Sequence, residues 1–95
     1  KMLNEKGVQL IDVRTPREYE KGHLKEAKQI DYKARDFKRK AFDGFDTSKP
    51  VLLYCASGVR SARAAKVYAD AGFKKVYNLV GGFRAWKAKN LKTVQ

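Results

Sequence analysis

The sequence predicts an α/β domain in which a central, mainly parallel sheet is covered by helices on both faces, giving three layers. Three observations carry this expectation. Short apolar runs near Ile11, Leu52 and Val76 alternate with segments of helical periodicity. The joints between them hold helix starts and stops, namely Thr15-Pro16, Gly58 and Gly72. A chain of 95 residues suits one core, expected over about residues 8–89 of a single domain spanning 1–95.

Gln9 to Val13 reads as the first strand, with Leu10, Ile11 and Val13 as its apolar weight and Asp12 and Arg14 at its carboxyl end. Thr15 is placed to cap a short helix with Pro16 at its first position, and Glu18 completes a capping box before Gly22 ends it. His23 to Ala27 reads as a turn and Gln29 to Asp31 as a brief strand. Lys33 to Phe42 carries Ala34, Phe37 and Ala41 near helical spacing, which suggests an amphipathic surface helix. Phe42 and Phe45 flank Gly44 and are expected to fold back on the core.

Pro50 then opens the central strand, Val51-Leu52-Leu53-Tyr54, which ends on Cys55. A small-residue turn follows, and Ala64, Val67, Tyr68 and Ala71 mark a helix at i, i+3, i+4, i+7 that Gly72 stops. Val76 to Val80 is expected as the last strand. Gly81-Gly82 makes the turn into a final helix, which Phe83 and Trp86 pack on the sheet.

Sites in parallel sheets gather at the carboxyl ends of strands, where Asp12, Arg14 and Cys55 all stand. A strand, a cysteine, a tight loop and a helix start make an arrangement suited to an anionic nucleophile. Loop amides from Ala56, Ser57, Gly58, Val59, Arg60 and Ser61, with the helix dipole, favour thiolate over thiol. Gly58 permits the positive φ that turns successive N–H groups toward one point. Arg60 offers a planar fork of donors for an anion. Asp12 is read as an orienting acid for the loop or Arg14, while Arg14 is left between substrate binding and a pair with Glu18. A metal is not expected, because one Cys and one His do not complete a zinc shell.

The net charge is +12, and it is uneven: residues 1–46 carry twelve basic and nine acidic side chains, residues 47–95 ten and one. A positive field therefore surrounds the cysteine half, either steering small anions or acting as a solvated surface. Nucleic-acid binding is disfavoured, since no helix-turn-helix, zinc spacing or aromatic RNA-binding signature accompanies the charge. No apolar run is long enough for a membrane span. One cysteine favours a cytoplasmic setting. The chain begins on Lys1, which suggests a piece of a longer protein and keeps the periplasm as the alternative.

Ile11-Asp12-Val13-Arg14 with Glu18-Tyr19 and Gly22-His23-Leu24 forms one stretch. Leu53 through Ser61 forms a second, and Leu79-Val80-Gly81-Gly82-Phe83-Arg84-Ala85-Trp86 a third. In this order and spacing the three resemble the rhodanese (sulfurtransferase) domain family. The resemblance implies a rhodanese-like fold, no cofactor, and a Cys55 persulfide. That persulfide would move sulfane sulfur from a small anionic donor, thiosulfate or a persulfide, to a thiol or cyanide, with the domain acting as a monomer. Three positions depart from the family pattern: Lys25-Glu26 stand where Pro-Gly is common, and Ala56 where many thiosulfate-using members have a basic residue.

Two rival readings accompany this one. A cysteine phosphatase or arsenate reductase uses Cys-x5-Arg, whereas four residues separate Cys55 from Arg60, narrowing the amide ring below what phosphate needs. A non-catalytic binding module of the same fold would leave Cys55 incidental. His23, the sole histidine, is expected to be structural, because sulfur transfer from thiosulfate removes no proton in its bond change.

Overall fold

The computed structural model describes residues 7–42, 44–79, 81–89 and 93. Among these residues four strands, β1 (Gln9–Asp12), β2 (Lys28–Gln29), β3 (Val51–Tyr54) and β4 (Val76–Asn78), alternate with four helices, α1 (Pro16–Glu20), α2 (Phe37–Phe42), α3 (Val59–Asp70) and α4 (Gly82–Ala88). The sheet is parallel throughout in the order β2-β1-β3-β4. Leu10 lies opposite Leu52, and Asp12 opposite Tyr54.

The period of two in each strand builds both faces. Ile11, Val13, Val51, Leu53 and Cys55 point to one side and pack with Phe37, Ala41, Ala64, Tyr68 and Phe73 from and beside α2 and α3. Leu10, Leu52 and Tyr54 point to the other, against Leu24 and Ala27, with Tyr19 of α1 and Phe83 and Trp86 of α4 packed on them. β3 is buried at every position, as a central parallel strand must be. Phe42 and Phe45 do return to the first of these cores.

Local chemistry sets the element ends. The Thr15 side chain accepts from the Glu18 amide and the Glu18 carboxylate accepts from the Thr15 amide, so the capping box forms as expected. Gly72, at φ 105°, turns the chain out of α3. The helix expected over Lys33 to Phe42 is shorter, beginning at Phe37. The Asp31 carboxylate takes the Lys33 amide and its carbonyl takes the Ala34 amide, which winds the preceding residues into turns. β2 is two residues long and starts one residue earlier than expected. Val80, the expected end of β4, lies outside the described residues.

The order 2-1-3-4 places the reversal of strand order between β1 and β3, all strands remaining parallel. Crevices at such reversals, beyond the strands' carboxyl ends, are where open α/β sheets bind ligands. Asp12 ends β1 there, and Cys55 directly follows β3.

Candidate active site

The loop from Cys55 to Ser61 wraps around its own first side chain. Gly58 is the N-cap of α3 and adopts φ 102°, so its amide turns back to donate to Cys55 Sγ at 3.1 Å. The Ser61 amide reaches the same sulfur at 3.4 Å, and the Ser61 hydroxyl oxygen lies 3.5 Å from it. Burial alone would push the Cys55 thiol up. The Ser61 hydroxyl and the amides of Ser61, Gly58 and Ser57 outweigh it and bring the thiol below its ordinary value. The donors are thus a subset of the ring expected over residues 56–61. Cys55 is 1% exposed, at the floor of the loop, while Ser57 and Val59 are exposed at its rim.

Two carbonyls of the loop are tied to α4. The amides of Phe83 and Arg84 donate to the Cys55 and Ala56 carbonyls at 2.7 and 3.0 Å. This contact needs glycine at position 82. A Cβ there would lie 2.8 Å from the Ala56 carbonyl carbon and oxygen and closer still to the Cys55 oxygen, and φ is already 60°. β4 contributes a second brace: the Asn78 side chain donates to the Gly58 carbonyl at 3.2 Å and accepts from the Ser61 hydroxyl.

Arg60 does not stand as a free anion clamp. Its two terminal nitrogens donate to the two Glu18 oxygens at 2.9 and 3.0 Å, on the carboxylate that also closes the α1 capping box. The Glu18 hydrogen bond raises the Arg60 guanidinium, and the Cys55 sulfur lies within coulombic range of it. A helix-capping glutamate and a loop arginine 42 residues apart are therefore one unit, which the i, i+3 capping pattern alone does not reveal.

Arg14, expected to bind substrate or to pair with Glu18, does neither. It pairs with Asp12 and not with Glu18, and it is 4% exposed, which leaves it no surface for substrate. Its Nε and one terminal nitrogen donate to Asp12 at 2.8–3.1 Å, the same nitrogen reaches the Gly22 carbonyl at 2.7 Å, and the guanidinium lies 4.2 Å over the Phe83 ring. Burial draws Arg14 down, but the Asp12 contacts more than restore it. The pair joins β1, the Gly22 turn and α4 beneath the site. Tyr54 secures the same turn by accepting the Leu24 amide at 3.0 Å.

His23 stacks on Tyr19 at 3.6 Å between ring centres, with Nδ1 2.8 Å from the Tyr19 carbonyl, which is a structural placement. The sequence marks Gly82 only as part of the turn into the final helix and does not mark Asn78. Gly82 carries a legible signal, a second glycine where a turn needs one, whereas Asn78 ends β4 one residue ahead of the third stretch, with nothing local to mark it.

The rhodanese-like domain matches residues 1–89. YqhL of Bacillus subtilis strain 168 is 43% identical over 81 residues, covering 85% of this chain, and the chain spans 62% of the length of that relative. A protein of Coxiella burnetii named thiosulfate sulfurtransferase GlpE is 36% identical over 88 residues, 92% of this chain and 78% of that protein. Among solved structures, the rhodanese-like domain of Alr3790 from Anabaena superposes with a TM-score of 0.82 at 28% identity over 93% of this chain and 99% of that one. A Staphylococcus aureus rhodanese-like domain protein gives 0.77 at 34% identity over 90% and 80%. With the sheet order, the six-residue cysteine loop and these likenesses in agreement, the chain belongs to the rhodanese-like domain family.

Proposed function

We propose that this domain is a sulfurtransferase that carries sulfane sulfur on Cys55, taking it from thiosulfate or a persulfide and giving it to a thiol or cyanide. The observation that carries this reading is the convergence of the Gly58 and Ser61 amides on Cys55 Sγ within a loop whose first two carbonyls are tied off by α4. Such a cradle stabilises negative charge on sulfur and has no need of a metal or base.

The cycle follows. The Cys55 thiolate attacks the outer sulfur of thiosulfate, a new S–S bond forms, and the old S–S bond breaks with its electron pair leaving on sulfite. The charge now sits on the added sulfur, and the loop amides that held the thiolate remain close enough to hold the persulfide anion. An acceptor thiolate or cyanide then attacks that outer sulfur, and Cys55 leaves as thiolate into the same amides. One set of donors serves both halves. Four residues between Cys55 and Arg60 make a ring scaled to one sulfur atom, which disfavours phosphate chemistry. The donor being a small anion, the basic half of the chain supplies the attracting field, and the unit acts as a monomer over about residues 8–89.

The test is direct. Incubation with thiosulfate followed by intact-mass measurement should show one added sulfur, removed by cyanide or a small thiol and absent from Cys55→Ala. A native protein that takes up no sulfur from thiosulfate or from a persulfide donor would overturn the proposal in favour of a binding module.

A further inference from the structure

The side chain of Asn78 is fixed in orientation by what it touches. The Gly58 carbonyl can only accept, so the Asn78 nitrogen must face it, and its oxygen must face Ser61. That oxygen can only accept, so the Ser61 hydroxyl proton is drawn to Asn78. Yet the Ser61 oxygen also lies 3.5 Å from Cys55 Sγ, and a hydroxyl has one proton. With the proton on the Asn78 side, Ser61 presents a lone pair to the sulfur, which suits S–H and opposes S⁻.

We propose that Asn78 is a positioning residue that competes with Cys55 for the Ser61 hydroxyl proton, so that the hydroxyl points to Asn78 beside a thiol and swings to the sulfur beside a thiolate. Asn78 is half-buried, so water can take its oxygen when Ser61 turns away. Once the outer sulfur is loaded, the inner sulfur is neutral and the hydroxyl returns to Asn78. The hydroxyl thus follows the charge through the cycle, while the amides of Gly58 and Ser61 stay fixed. Other charged groups about the loop are Arg60 of α3, the Glu18 of α1 that binds it, and Asp31, which lies within coulombic range of Arg60. Arg84 of α4 is exposed, and the Asp12–Arg14 pair at the end of β1 is closed on itself.

The inference rests on Cys55 as the sulfur carrier proposed above, but its test reads ionisation and not transfer, so the two fail separately. Cys55 is the sole cysteine, so thiolate absorbance and the pH dependence of alkylation by iodoacetamide both report it alone. Asn78→Leu should lower the ionisation midpoint by about half a pH unit to one unit, by releasing the Ser61 proton to the sulfur. Ser61→Ala should raise it by a similar amount. In the Ser61→Ala background, Asn78→Leu should have almost no effect. A midpoint unmoved or raised by Asn78→Leu, or lowered equally with and without the Ser61 hydroxyl, overturns the proposal. Asn78→Ala is the second variant should leucine prevent folding. If neither folds, a Ser61→Ala protein that ionises at the native midpoint overturns the proposal just as well.

Discussion

Arg60 and Glu18 face each other through a two-pronged ion pair, at 2.9 and 3.0 Å, that fastens the cysteine loop to the first turn of α1. The Arg60 hydrogen bond is the main reason that the Glu18 carboxyl falls from 4.5 to about 2, against the opposing effect of burial. A carboxylate held below its unfolded value stabilises the fold above about pH 4.5, and that contribution is lost as pH falls toward 2. About a third of the Glu18 side chain is exposed, so solvent screening reduces the contribution to about 1–2 kcal/mol. Glu18→Gln should cost that much at neutral pH and flatten the acid limb of stability between about pH 5 and 2, measured by urea unfolding at a series of pH values.

Asp12 and Arg14 make the opposite kind of pair, fully enclosed and joined by three side-chain hydrogen bonds. Asp12→Ala leaves an uncompensated guanidinium under the site and should cost about 3–5 kcal/mol, read from the denaturant midpoint. Loss of less than about 1 kcal/mol would mean that Gly22 and the Phe83 ring alone hold the arginine.

Gly82→Ala drives a methyl group into the Cys55 and Ala56 carbonyls. We expect about 2 kcal/mol or more of lost stability. Sulfur loading should fall at least about tenfold, because the carbonyls must shift and the amides opposite them move too. Loading is followed by intact mass, and an alanine variant that loads at the native rate would separate α4 from the site.

Glu26 is the one non-glycine residue at positive φ among those described, at 67°, in a turn closed by the Ala27 amide on the Leu24 carbonyl. It occupies the third position of that turn, where glycine suits a positive φ. Glu26→Gly should therefore be neutral to stabilising by about 0.5–1 kcal/mol, in place of the usual loss for a new glycine. A thermal melt lowered by several degrees would contradict this.

Charge steering has its own signature. The second-order rate of loading by thiosulfate should fall as ionic strength rises from about 0.01 to 0.15 M, since screening shortens the field from about 30 to 8 Å. A flat response would reduce the +12 to a feature of the surface.

The alternation of strands and helices, the capping box and the cysteine loop were legible because each is written in contiguous residues. The Thr15–Glu18 box, the Gly58 turn and the Gly72 stop are each set within a few positions along the chain. What stayed hidden was pairing at a distance. Arg14 has two acids within reach along the chain, and its burial beside Asp12 at the end of β1 sets the pair. Arg60 looked available because its partner lies 42 residues earlier, on an element brought alongside only by the fold. Asn78 acquires its meaning when β4 joins β3 and places it beside the start of α3. Helix α2 was overextended because Asp31 redirects amides that periodicity would have assigned to a helix.

The grip of Phe83 and Arg84 on the two carbonyls has a practical corollary for anyone who would shorten this domain. Helix α4 closes off two peptide oxygens of the cysteine loop, and its removal would leave them free to rotate and repel the negative charge that the proposed sulfur carrier must hold. Cutting the chain ahead of Gly81 should thus yield a protein that retains its cysteine and its arginine but has no competent place to keep a sulfur anion.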